Sequence, residues 1–186
     1  MAVLDGSIAN TALPAIARDL RASPTASIWV VNAFQLAVTA TLFTFASLGA
    51  LKGSARVYRA GVVGFILGSL FSALSRSLPE LIAARALQGL GAAAIMSLSP
   101  ALLRDIFPSA QLGRALGING FVVATAAAAG PTVGGLLLSI ASWPVLFAIN
   151  VPLGLLNIVL NRALPDDRRN EGRLDLPSAI CSALGC

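Results

Sequence analysis

Apolar residues run along this chain in long blocks separated by short polar gaps, a pattern that predicts helices of membrane length. The first block, Met1 to Leu20, carries Asp5 near its start and closes on Leu13-Pro14 and then Arg18, Asp19 and Arg21. A spanning helix takes about 20 apolar residues, so this opening helix reads as cut, short of its first turns. Arg18 to Ser27 is a polar connection with Ser23-Pro24-Thr25 as its turn. The second span runs from about Ile28 to Gly49, nearly free of charge, with Trp29 at its entrance as an interfacial anchor. A short basic loop from Lys52 to Arg59 leads into a third span over about Val57 to Leu74, where Gly61, Gly64 and Gly68 offer close-packing positions. Ser75 to Glu80 turns the chain, and Pro79 opens a fourth span whose apolar run is Leu81 to Leu103. Arg104-Asp105 and Pro108 end it, and Arg114 closes the next loop. The fifth span, about Leu116 to Ile140, is rich in glycine and alanine, and Trp143-Pro144 opens a sixth reaching about Leu160. A polar loop over residues 162–175 follows, and Leu176 to Cys186 begins a seventh apolar run.

The fold class is therefore all-α: a polytopic membrane helical bundle of six spans, the first truncated, plus the start of a seventh. Residues 1–161 form the bundle, 162–175 a cytoplasmic loop and 176–186 the opening of the seventh span.

Composition agrees and excludes several other classes. Of the 186 residues 56% are hydrophobic and 11% charged, where a soluble domain carries about a quarter charged residues. The net charge of +5 does not point to nucleic acid, because the basic residues sit in the gaps between apolar blocks. The loops after spans two, four and six carry nine of them: Lys52, Arg56, Arg59, Arg104, Arg114, Arg162, Arg168, Arg169 and Arg173. The opposite loops carry three, Arg18, Arg21 and Arg76, so the positive-inside rule places the first set in the cytoplasm. The chain is expected in the cell (inner or plasma) membrane, with the lipid bilayer as its first partner. Histidine is absent, which removes His-ligated metal sites and His-dependent hydrolysis. Cys181 and Cys186 have no ligand-like spacing. No metal and no catalytic set is expected, and no nucleophile–base pair suggests an enzyme. The start, Met1-Ala-Val-Leu-Asp, has no signal-peptide pattern.

Two ionisable groups fall inside spans, Asp5 and Arg85. A charge at mid-membrane costs about 2.5–3.5 kcal/mol on insertion scales, and such residues usually line a pathway or relay. Asp5 lies nine residues before Pro14, about 13 Å along a helix and so near the midplane. Arg85 sits nearer the outer side, with a side chain long enough to reach inward. The simplest relation between them is a salt bridge that fastens two helices. The functional alternative starts from the fact that arginine keeps its proton, so it acts by tuning a carboxylate. A guanidinium neighbour favours the ionised acid and burial favours the neutral one. Alternation between those environments loads and releases a proton. Gln88, at i+3 from Arg85, shares its face and is placed to hold the guanidinium or bind a substrate. In the fifth span Ala126, Gly130 and Gly134 recur every four residues as a small-residue stripe, and Pro131 removes a backbone hydrogen bond and predicts a kink.

These segments together resemble the major facilitator superfamily, in particular its branch of drug:proton antiporters with fourteen helices. Leu4-Asp5-Gly6-Ser7-Ile8-Ala9-Asn10-Thr11-Ala12-Leu13-Pro14 is similar to that branch's first-helix signature, an aspartate before a Thr/Ser-Ile-Val-Asn-Val-Ala-Leu-Pro run. Arg85-Ala86-Leu87-Gln88-Gly89-Leu90-Gly91 resembles the fourth-helix motif, whose arginine is associated with proton coupling. Gly130-Pro131-Thr132-Val133-Gly134-Gly135 resembles the core of the fifth-helix antiporter motif. The resemblance covers essentially the whole chain. It implies proton-coupled antiport of drugs or other small molecules by alternating access, with Asp5, Arg85 and Gln88 on the coupling pathway. The proton is the coupling ion, no other cofactor is implied, and a C-terminal helical half is the implied partner across the substrate cavity.

One motif departs from the family. The loop between its second and third helices reads Gly-x-Leu-Ala-Asp-Arg-x-Gly-Arg-Arg and acts as a conformational switch. Here Gly53 and Arg56 remain, but Ala50 stands at the aspartate and Leu51 at the first arginine, and Ser54 and Ala55 replace the next basic pair. That erosion, with the shortened first helix and half-length seventh, sustains a second reading: a truncated, inactive or accessory membrane protein without transport of its own.

Overall fold

The computed structural model describes residues 1–161, and every regular element among them is a helix. The expected loop over 162–175, the seventh run over 176–186 and both cysteines lie outside the described residues. The helices are α1 (Ala2–Asp19), α2 (Pro24–Ser27), α3 (Trp29–Lys52), α4 (Ser54–Leu74), α5 (Leu78–Ile106), α6 (Ser109–Ile140), α7 (Pro144–Ala148) and α8 (Asn150–Asn161). Five stretches are long and apolar enough to cross a bilayer: Pro24–Lys52, Ser54–Leu74, Leu78–Ile106, Ser109–Ile140 and Pro144–Asn161. The 18-residue α1, with Asp5, Arg18 and Asp19, is the sixth long helix of the bundle. Large apolar side chains point outward, Phe43 at 80% exposed and Ile140 at 78%. Such a surface needs lipid or protein around it, and the chain is a multi-pass membrane protein.

The polar gaps are tighter than the sequence suggests. Ser23-Pro24-Thr25 starts α2 rather than forming a free turn. Ser23 Oγ accepts the backbone N–H of Ala26 at 3.2 Å, and Pro24 takes the first helical position, where no N–H is needed. The basic loop from Lys52 to Arg59 contracts to Gly53, whose φ of 97° turns the chain in a single residue as only glycine does readily. Arg56 and Arg59 then fall in the first turns of α4. Arg104 and Asp105 lie inside α5, and Arg114 lies inside α6 rather than in a loop. Backbone hydrogen bonding does not stop where the apolar run stops, and leucine, alanine, arginine and glutamine all favour helix. Phe107, held extended before Pro108, makes the break between them. The sixth span divides at Ile149 into α7 and α8. Pro152 has no N–H to give the carbonyl of Ala148, the last residue of α7.

α5 is the central helix, packed between α3 and α4, while α1 pairs with α6 and α4 also meets α7 and α8. Backbones touch directly where α4 crosses α5. A methyl at Gly68 would lie 2.5 Å from the Cα of Gln88, and one at Gly91 would strike the backbone of Phe65. Gly64 sits more loosely, a built Cβ lying 3.8 Å from Gly91 Cα. This is small-residue packing, in which dispersion between backbones replaces the missing hydrophobic drive between helices in lipid. Around it, Ile8, Ala12, Ile16, Val30, Leu81 and Phe147 form one apolar core joining α1, α3, α5 and α7.

Candidate functional site

Asp5, Arg85 and Gln88 converge inside that core. Arg85 is 0% exposed, and Asp5, Gln88, Ser69 and Asn150 are all buried with it. The close contact of Gly68 with the Gln88 backbone brings α4 near enough for Ser69 to reach the amide. The break between α7 and α8 leaves Asn150 at the start of a helix, turned towards Asp5.

The hydrogen bonds form one network across five helices. Arg85 Nη1 donates to Asp5 Oδ2 at 2.5 Å and to Gln88 Oε1 at 2.7 Å. Gln88 Nε2 donates to Asp5 Oδ1 at 3.0 Å and to Ser69 Oγ at 2.8 Å. Asn150 Nδ2 donates to Asp5 Oδ1 at 2.5 Å. Arg85 Nε donates to the Val30 carbonyl at 3.3 Å, and its Cζ lies 4.3 Å from the ring centre of Phe34 and 5.3 Å from that of Phe147. The carboxylate thus receives three donors, one of them a cation, and the guanidinium rests within cation–π reach of two rings. Two buried polar atoms, Arg85 Nη2 and Ser72 Oγ, have no hydrogen-bond partner among the described residues.

The electrostatics of this arrangement are simple. Asp5 and Arg85 cancel each other's charge, and the pair survives burial because nearly every remaining polar atom is satisfied. Removing either charge would leave the other uncompensated in a dry protein interior, which is strongly disfavoured. Cavities of about 270 and 280 Å³ lie toward opposite ends of α1, one beside Arg18, Asp19 and Trp143, the other beside Met1, Tyr58, Ser99 and Asn119. Neither is lined by Asp5, Arg85 or Gln88.

The other expected residues lie elsewhere. Gly130 and Gly134 of α6 pack on α1, against Ser7 and against Ile8 and Thr11 respectively. Pro131 is exposed and α6 continues through it. Gly135 has nothing within 4 Å of a built Cβ, so it plays no part in that packing. Gly53 is the one-residue turn between α3 and α4, and Arg56 is exposed beyond it. Ser69, Asn150, Phe34 and Phe147 complete the site without having been singled out in the sequence. Asn150 and Ser69 carried a legible signal, since each is a polar side chain inside an apolar span.

Comparison with known proteins bears on this arrangement. A family profile described as Major Facilitator Superfamily matches residues 1–179. An uncharacterized transporter of Escherichia coli K12, YebQ, is 54% identical over 187 residues, covering 99% of this chain and 41% of the relative. The riboflavin transporter RibZ of Clostridioides difficile is 37% identical over 98% of this chain and 41% of its own length. The puromycin resistance protein of Streptomyces alboniger is 38% identical over all of this chain and 37% of its own length. The chain therefore spans about two fifths of the length of these relatives.

Proposed function

The chain belongs to the major facilitator superfamily, and on that premise we propose that it forms the proton-coupling bundle of a small-molecule exporter of the plasma membrane. The observation that carries this reading is the closed Asp5–Arg85–Gln88–Asn150 network, a neutral cluster that one added proton unbalances. In the closed network the Asp5 carboxylate holds α1 against α5 and α8. When Asp5 takes up a proton, its attraction for Arg85 is lost and the freed guanidinium must find another partner or water. Separation of α1 from α5 supplies that relief, and closing the network again expels the proton. Alternating access needs a second bundle across the substrate cavity. We place that bundle against the faces of α3 and α6 that remain uncovered, where Asn32, Gln35 and Thr39 of α3 lie exposed along one helical side. No cofactor other than the proton enters the cycle, and the substrate is an organic molecule of the kind the relatives' names describe, puromycin and riboflavin among them.

Proteoliposomes carrying this bundle joined to its second bundle, with a trapped pH dye, test this reading. Puromycin or riboflavin added on the substrate side is expected to drive proton movement, and Asp5→Asn and Arg85→Ala are expected to abolish it. Unchanged proton movement in either variant, or unchanged drug resistance in cells expressing it, refutes the coupling role. A wild-type protein that folds and moves nothing favours the second reading, an accessory helical bundle, for which the eroded loop at Ala50 and Leu51 argues.

A further inference from the structure

Pro131 has no N–H, so the carbonyl of Ala127, four residues earlier on α6, loses its donor within the helix. Ala127 lies in a membrane span, and away from water an unpaired carbonyl is strongly disfavoured. Ser7 of α1 supplies the missing hydrogen: its Oγ donates to the Ala127 carbonyl at 2.9 Å. The neighbouring Gly130 makes this approach possible, because a Cβ there would collide with the Ser7 side chain. Of the 32 residues of α6 only Ala115, Gly130 and Gly134 are buried, and the two glycines face α1.

We infer that Ser7 is a positioning residue whose hydroxyl replaces the backbone donor removed by Pro131 and so latches α6 to the helix that carries Asp5. This deepens the transport reading by naming the joint through which the Asp5 network reaches α6, although the exchange of donors itself does not depend on that reading. Ser7 follows Asp5 by two residues, about 200° around the helix. Asp5 therefore faces the network with α5 and α8, while Ser7 faces α6. A rotation of α1 that withdraws Asp5 from Arg85 also withdraws Ser7 from Ala127. That releases the carbonyl at the proline of α6 and lets α6 bend as the network opens.

A four-protein cycle tests the latch: wild type, Ser7→Ala, Pro131→Ala and the double variant, each unfolded in mixed micelles. Ser7→Ala is expected to lower the unfolding midpoint in the Pro131 background. With alanine at 131 the restored N–H serves the Ala127 carbonyl, and the same Ser7→Ala change is expected to shift the midpoint by less than half as much. Equal shifts in both backgrounds overturn the inference, since a hydroxyl that merely fills space between helices is indifferent to residue 131. Should Ser7→Ala alone fail to fold, recovery of folded protein on adding Pro131→Ala is the predicted outcome, and continued failure overturns it. The cycle reads unfolding and not proton flux, so the latch is tested even in a protein that transports nothing.

Discussion

α5 and α6 are built from nearly the same materials and do different work. Both are long and rich in glycine and alanine, 29 and 32 residues, and each holds one proline in its interior, Pro100 in one and Pro131 in the other. In α5, Gly89 and Gly91 bring the backbones of α3 and α4 into contact, and the helix buries Arg85 and Gln88 in the resulting tight space. In α6, Gly130 and Gly134 meet α1 while Gly135, one residue further, meets nothing. The difference shows that a small-residue motif marks close packing only on the side that another helix covers. A charge is tolerated where the covering helices also bring polar partners. α5 has α1, α3 and α7 around its arginine, whereas α6 has chiefly α1 and a single proline-freed carbonyl to satisfy.

The comparison breaks most decisively at Arg85. Removing one member of a buried ion pair strands the other, so Arg85→Ala is expected to destabilise the bundle by about 3–5 kcal/mol, measured by denaturant titration in mixed micelles. Asp5→Asn should cost a similar amount for the same reason. Replacing both with leucine should cost less than either single change, because no charge is left unpaired. If the double variant is instead the least stable of the three, the pair does not act as a neutral unit. Gln88→Leu comes next: it leaves Asp5 Oδ1 and Ser69 Oγ each short of a donor, and about 1–3 kcal/mol of lost stability is expected.

Glycine substitutions sharpen the contrast by sign. Gly91→Ala forces a methyl into the Phe65 backbone and should destabilise by about 1–3 kcal/mol. Gly135→Ala meets open space and removes a flexible residue from a helix interior, so a gain of about 0.5–1 kcal/mol is expected. The same titration reads both, and two losses would mean that α6 packs on a surface beyond the described residues.

Much of this was legible in the sequence. Block lengths marked the spans, Asp5 and Arg85 stood out as charges at apolar depth, and the i, i+3 spacing put Gln88 on the arginine's face. The ends of the helices were less legible, because hydropathy marks where lipid stops and not where backbone hydrogen bonding stops. Arg56, Arg104 and Arg114 therefore moved from loops into helices. Asn150 and Ser69 escaped because neutral polar residues carry no charge to draw the eye, and only the crossing of α4, α5 and α8 shows that they face Asp5. The stripe on α6 was readable as small residues, but which of its glycines is covered is a property of α1. Ser7 gains its meaning only once Ala127 is seen opposite it.

The proposed coupling role makes Asp5 the group that takes and releases the proton, its carboxylate bound by Arg85, Gln88 and Asn150 in the closed network. Infrared difference spectroscopy of the reconstituted protein between acid and neutral pH reads that event directly. A carboxylic-acid carbonyl band is expected to appear on acidification, vanish in Asp5→Asn, and shift in frequency in Asn150→Ala as one of its hydrogen bonds is lost. A spectrum in which Asp5→Asn matches wild type across the same pH range would contradict it.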